Sequence, residues 1–229
     1  MQFDAELLFR LVDVTGVFAN GLLGGAVART KGFDAIGFVM LAIVSGLGGG
    51  MLRDTLLGTG FPVALTDPLY LTFALLGAGV AYFLDFGRGW ARRGLLVADA
   101  LSLGCWSATG ASKALMAGLD WLPAIFLGVI TAVGGGMLRD ILVNQVPSVF
   151  TGPLYASVSI LASAEMVLLQ SLNQYALGMG LAIATGGVLG LLARWRQWTL
   201  PPAAQWTVPR PRIRKLFRSR SRPMKGRLF

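Results

Sequence analysis

The sequence contains no histidine and a single cysteine, Cys105. The first absence removes the imidazole proton relay and the commonest metal ligand, and the second leaves no internal disulfide to form. Nothing in what remains reads as a nucleophile with its base, a carboxylate dyad or a metal cluster, so the chain is expected to be neither an enzyme nor the holder of a cofactor. Charge is also scarce, at 14% of 229 residues against about 25% in a soluble domain. Acid is scarcer than base, with 11 Asp and Glu against 20 Lys and Arg. A net +9 suggests a nucleic-acid partner until it is located. Arg210, Arg212, Arg214, Lys215, Arg218, Arg220, Arg222, Lys225 and Arg227 follow Pro201 with no acid among them, which leaves residues 1–200 balanced.

What the chain has in quantity is apolar side chains, 55% of the total, and a mean hydropathy of +0.66. Seven apolar stretches, about 7–28, 33–57, 68–84, 95–117, 122–143, 153–172 and 175–194, approach or exceed the roughly 17–25 residues that cross a bilayer as a helix. The expected fold is therefore an all-α membrane protein of seven transmembrane helices. Ala26-Val27-Ala28 resembles a signal-peptide cleavage site, but no basic segment precedes the first stretch and Asp13 interrupts it, so that stretch is expected to stay attached.

Glycine is the second abundance, at 31 residues, and its most informative run occurs twice. Gly48-Gly49-Gly50-Met51-Leu52-Arg53-Asp54 returns as Gly134-Gly135-Gly136-Met137-Leu138-Arg139-Asp140. A phosphate-cradling loop would need a strand before it and Lys-Ser or Lys-Thr after it; here Met-Leu-Arg-Asp follows and apolar residues flank both sides. Three successive glycines weaken a helix, so the second and fifth stretches are expected to be broken there, with backbone near Ser45 and Thr131 opened to whatever lies between. The match extends further. Asp13 pairs with Asp99, Gly24 with Gly110, Pro62 with Pro147 and Pro68-Leu69-Tyr70 with Pro153-Leu154-Tyr155.

Stretches one to three and four to six are thus two copies of a three-helix unit, about 7–86 and 93–172, and the seventh, about 175–195, stands outside. An odd number of crossings turns the second copy upside down, the inverted-repeat plan common in transport proteins. Together they make one membrane domain over 1–199, followed by a basic tail over 200–229. Basic residues follow the first stretch (Arg29, Lys31), the third (Arg88, Arg92, Arg93) and the seventh, which puts the N-terminus outside and the C-terminus in the cytoplasm.

A charge at mid-helix costs about 2.5–3.5 kcal/mol on insertion scales, so Arg53, Asp54, Arg139 and Asp140 are expected to face a wet path or one another. As structural ion pairs they would draw on Asp13 and Asp99 as further charge partners. As functional groups, the two arginines would be the constriction of a path lined by the glycines. Lys113 has two open readings, snorkelling to the interface or reaching into the same path. Glu165 has Val80 at the matching place in the first copy; a hydrogen-bonded acid is its simpler reading, and a position beside the path the other.

With its doubled Gly-Gly-Gly-Met-Leu-Arg-Asp, and the proline and Pro-Leu-Tyr after each copy, the sequence resembles the bacterial branch of the trimeric intracellular cation channel (TRIC) family over about residues 7–195. The resemblance implies a homotrimer in the bacterial inner membrane, with an hourglass pore in each protomer lined by broken helices two and five. The pore would then include Gly48, Gly49, Gly50, Arg53, Gly134, Gly135, Gly136 and Arg139, and conduct monovalent cations, potassium first and sodium as well. Some bacterial relatives are linked to glycine transport, so a carrier for a small zwitterion is the alternative. The tail, outside the resemblance, is rich in proline as well as base and is expected to lie disordered on anionic lipid rather than on nucleic acid.

Overall fold

The computed structural model describes residues 5–84, 89–152 and 154–200. The helices described belong to the compact unit Met1–Thr199, and the expectations for the tail and for the loop around Arg88 fall outside the described residues. In chain order they are α1 (Ala5–Thr30), α2 (Ala35–Leu57), α3 (Val63–Thr66), α4 (Pro68–Phe83), α5 (Gly89–Met116), α6 (Trp121–Leu142), α7 (Ser148–Thr151), α8 (Tyr155–Ser171) and α9 (Tyr175–Arg196). No strand occurs among the described residues. Two elements, α3 and α7, are single turns after Pro62 and Pro147, where the ring fixes φ and begins a short helix.

Caps mark the boundaries. The Asp34 carboxylate accepts from Gly37 N at 2.8 Å to open α2, Asp120 from Trp121 N at 2.7 Å to open α6, and Asp67 from Leu69 N at 3.0 Å to open α4 beside Pro68. Gly58, at φ 63°, closes α2 in the left-handed region.

Four helices, Arg10–Thr30 of α1 and the whole of α2, α6 and α9, are long and apolar enough to cross a membrane, and α4 is a shorter apolar helix. Large apolar side chains point outward: Leu75, Leu76, Phe126, Leu168, Leu177 and Val188 are all exposed. An apolar exterior of this extent is stable only against lipid or another subunit. The least apolar of the long helices, α5, is the most enclosed. It packs against α1, α6, α8 and α9, and its Ser102, Ser107 and Ser112 are buried. Ser107 meets Ser159 Oγ at 2.7 Å and donates to the Leu103 carbonyl, so α5 faces protein on most sides and can carry hydroxyls there. Backbones come close at Gly104, where a Cβ would stand 2.1 Å from the Ala182 carbonyl oxygen on α9.

The expected breaks are corrected by the structure. Both α2 and α6 run as uninterrupted helices through their triple glycines. The glycines serve an interhelical crossing instead. A Cβ on Gly49 would lie 2.1 Å from the Thr131 carbonyl oxygen, and one on Gly135 would lie 2.4 Å from that of Ser45. The same residue that loosens an isolated helix lets two packed helices touch backbone to backbone, and packing supplies what local propensity withholds.

Candidate functional site

The site is built around that crossing. Gly48 lies against Gly135 and Leu138, and Gly134 against Gly49 and Leu52. Later positions on α2 meet earlier positions on α6, so the two helices cross antiparallel, and every contact on one side is answered by its counterpart on the other. The neighbouring packing repeats too: Gly24 of α1 abuts Ser45, as Gly110 of α5 abuts Thr131. The carbonyls of Ser45 and Thr131, expected to be free for a ligand, are instead covered by the opposing glycines.

One glycine of each triplet behaves differently. A Cβ on Gly50 would find only the Arg53 guanidinium, at 3.7 Å, and one on Gly136 only that of Arg139, at 3.8 Å. Each opens into a polar cavity. The first, of about 30 Å³, is lined by Asp13, Gly49, Gly50, Arg53, Asp54, Val63, Tyr70, Trp106 and Thr131 among others. The second, of about 200 Å³, is lined by Asn20, Asp99, Gly136, Arg139, Ser148, Tyr155 and Arg194 with apolar neighbours. Position by position these are largely the same site twice, one cavity drawing on α2 and the other on α6.

The Arg-Asp pair does the same work in both. Arg53 Nε donates to Asp54 Oδ1 at 2.7 Å, while Asp54 Oδ2 accepts from Val63 N, the first amide of α3, at 2.9 Å. Arg139 donates to Asp140 Oδ1 from Nε at 3.0 Å and from its terminal nitrogen at 2.8 Å, and Asp140 Oδ2 accepts from Ser148 N, the first amide of α7, at 2.9 Å. Each buried carboxylate thus holds an arginine with one oxygen and caps a one-turn helix with the other. That satisfies the ion at both ends and makes its burial tolerable.

Asp13 and Asp99 are not partners of Arg53 and Arg139, as sequence spacing had suggested. Asp13 accepts from Tyr70 OH at 2.5 Å and from Trp106 Nε1 at 2.7 Å. Asp99 accepts from Tyr155 OH at 3.0 Å and forms an ion pair with Arg194 of α9. Lys113 stands 3.6 Å from Asp54 Oδ1 and lines an adjoining cavity with Thr59, Gly60 and Met116. Two candidates line neither polar cavity. Ser45 is buried against α1 and lines neither polar cavity, and Glu165 accepts from the Thr185 hydroxyl of α9 at 2.8–2.9 Å, away from both. Thr131 lines the first cavity, its hydroxyl bonded to the Leu127 carbonyl at 2.7 Å. Tyr70, Tyr155, Trp106 and Arg194 were not singled out from the sequence. The tyrosines carried a signal, since each closes a repeated Pro-Leu-Tyr.

Two matched polar cavities flanking a helix crossing, inside a coat of outward apolar side chains, define a membrane protein of the transporter and channel kind. Comparison with known proteins names the family. The family model described as Glycine transporter matches residues 10–85 and again 96–171, one match for each half of the repeat. The UPF0126 membrane protein of Deinococcus radiodurans is 36% identical over 199 residues, covering 83% of this chain and 89% of its own length. The UPF0126 inner membrane protein YadS of Escherichia coli K12 is 31% identical over 156 residues, 68% of this chain and 75% of the relative. Among solved structures, one from work on conductance through TRIC cation channels superposes with a TM-score of 0.79 at 30% identity, over 88% of this chain and 97% of the other. The TRIC orthologue from Rhodobacter sphaeroides gives 0.75 at 31% identity, over 82% and 98%. The chain belongs to this TRIC/UPF0126 family and is a multi-pass bacterial membrane protein.

Proposed function

We propose that the protein is a passive monovalent-cation channel that prefers potassium and also passes sodium, with one pore in each protomer of a homotrimer. The observation that carries this reading is the pair of matched polar cavities on either side of the Gly49–Gly135 crossing. The solved relatives, described as TRIC cation channels, supply the ion class and the trimer. In this reading the seven long helices all span the bilayer, and α1–α4 and α5–α8 are inverted copies, which the antiparallel crossing of α2 and α6 supports. The cavities then open on opposite faces of the membrane. Gly50 and Gly136 line the two approaches, and Arg53 and Arg139 stand beside the constriction.

The orientation proposed is N-terminus outside and C-terminus cytoplasmic. It is supported by the basic residues at one end of the bundle: Arg29, which donates to the Ala81 and Tyr82 carbonyls at the end of α4, then Arg92 and Arg93 at the start of α5 and Arg194 and Arg196 at the end of α9. Anionic lipid under the basic tail would add to the same bias.

A carrier for a small zwitterion such as glycine is the second reading. It is favoured by the description of the matching family model and by the presence of both a guanidinium and a carboxylate in each cavity, able to meet the two ends of an amino acid. The two separate in reconstituted liposomes. A channel gives potassium flux that rises with the gradient without saturating and is indifferent to glycine. A carrier gives saturable glycine uptake accelerated by glycine on the far side, and that result would overturn the channel reading.

A further inference from the structure

The two cavities share much of their plan but not their size, about 30 Å³ against about 200 Å³. A water takes up about 30 Å³ of liquid, so the first has room for about one or two waters and the second for several more. The linings differ at several equivalent positions, among them Leu47 against Val133 and Ala64 against Val149. The largest exchange in bulk is Trp106 against Asn20, an indole for a carboxamide. Arg194 adds a long side chain to the second cavity, which is the roomier one all the same.

Both side chains issue from one crossing. Helices α1 and α5 meet at Gly16 and Ser102, themselves equivalent positions, where a Cβ on Gly16 would stand 2.6 Å from that of Ser102. One turn further along each helix a residue enters the cavity of the other copy, Asn20 of α1 lining the second and Trp106 of α5 the first. Asn20 folds back on the crossing, donating to the Gly16 carbonyl and to Ser102 Oγ, both at 3.2 Å. The indole instead reaches across. A Cβ on Gly16 would lie 3.3 Å from its ring edge, and its Nε1 donates to Asp13 Oδ1 at 2.7 Å. Asp13 Oδ2 in turn accepts from the Tyr70 hydroxyl at 2.5 Å, so the ring, 7% exposed, is fixed against α1 and tied through Asp13 to α4.

We infer that Trp106 is the size-selecting residue of the pathway, its indole narrowing the first cavity so that a cation sheds most of its water there. This rests on the channel reading above. The second cavity has room for an ion with part of its hydration shell, and the first does not. An ion bulkier than potassium has to displace a ring that is packed along one edge and hydrogen-bonded at another, in a close-packed interior that yields little. Cations are therefore sorted by size at Trp106 rather than in the cavity that holds Asn20.

The experiment is single-channel recording of the full-length protein with potassium on one side and methylammonium, dimethylammonium or tetramethylammonium on the other, permeability ratios being taken from reversal potentials. Wild type should pass potassium and exclude tetramethylammonium. The dimethylammonium-to-potassium ratio should rise as the side chain shrinks, from wild type through Trp106→Phe and Trp106→Leu to Trp106→Asn, which gives the first cavity the side chain of the second. The full rise should be about tenfold, equivalent to about 1.4 kcal/mol of relieved crowding. Asn20→Ala should leave the ratio where it is. The wild-type cut-off and Trp106→Phe, which keeps a ring, give a reading even where the smaller side chains do not assemble. Passage of tetramethylammonium through wild type, a ratio unmoved across the Trp106 variants that conduct potassium, or an equal rise in Asn20→Ala would overturn the inference and leave the channel reading standing. Absence of unitary potassium currents from wild type would instead remove the channel reading, and this inference with it.

Discussion

The three glycines of each motif are not equivalent, and the difference is measurable one atom at a time. A Cβ on Gly49 or Gly135 would be driven into a backbone carbonyl of the opposite helix, which has no flexible end to move aside, whereas one on Gly50 or Gly136 would enter a cavity. Gly49→Ala should therefore destabilise the protein by about 1–3 kcal/mol or more by forcing α2 from α6, seen as a lower melting temperature in detergent. Gly50→Ala should melt close to wild type, and Gly50→Leu should keep the fold while cutting the current. Equal melting of the Gly49 and Gly50 variants would mean that the crossing does not hold the bundle. At Arg53 and Arg139 the proposed pore role overlaps a structural one, since each guanidinium lines a cavity and is bonded to the acid beside it. Replacing either with glutamine should change conductance or cation-over-anion preference, measured by reversal potential in a salt gradient. Unchanged currents in both variants would leave these arginines a structural role only.

At the scale of elements, the unit that repeats is a helix whose last turn organises the next. Asp54 reaches past the Gly58 cap to the first amide of α3, and Asp140 does the same for α7. Removing the carboxylate strands a buried arginine and uncaps a turn together, so Asp54→Ala and Asp140→Ala should each cost about 3–5 kcal/mol by thermal or denaturant unfolding. A loss below about 1 kcal/mol in both would place the pairs among weak surface interactions. The sequence displayed the Arg-Asp motif and the prolines behind it, but their relation depended on a loop bringing position 63 back to position 54. The triple glycine was misread for a related reason. A break and a close crossing call for the same residue, and only the neighbouring helix distinguishes them. Tyr70 and Tyr155 were readable from the duplicated Pro-Leu-Tyr, whereas Trp106 and Arg194 have no repeated partner, and their contacts span 93 and 95 residues of chain.

For the whole molecule, hydropathy and duplication carried most of the architecture, because a membrane-buried chain must write its spans as long apolar runs and a duplicated gene writes its symmetry twice. The family match to residues 10–85 and 96–171 is the same duplication seen from outside. The one long helix whose composition understates its length is α5, where buried serines and glycines replace the apolar side chains of its neighbours. For the basic segment beyond Pro201, which also belongs to this scale, we propose the role of a lipid tether. Each basic residue near an anionic leaflet contributes about 1 kcal/mol, so truncation there should weaken binding to anionic vesicles in a salt-dependent way while sparing assembly and current. Loss of current on truncation would make the tail part of the gate.

The central claim is that a monovalent cation moves passively past the α2–α6 crossing, and a planar bilayer holding the purified protein under a potassium chloride gradient tests it most directly. The account predicts discrete unitary currents that reverse near the potassium equilibrium potential, persist when sodium partly replaces potassium, and shrink in Gly50→Leu. A bilayer that stays silent while the same preparation takes up glycine saturably into liposomes would contradict it.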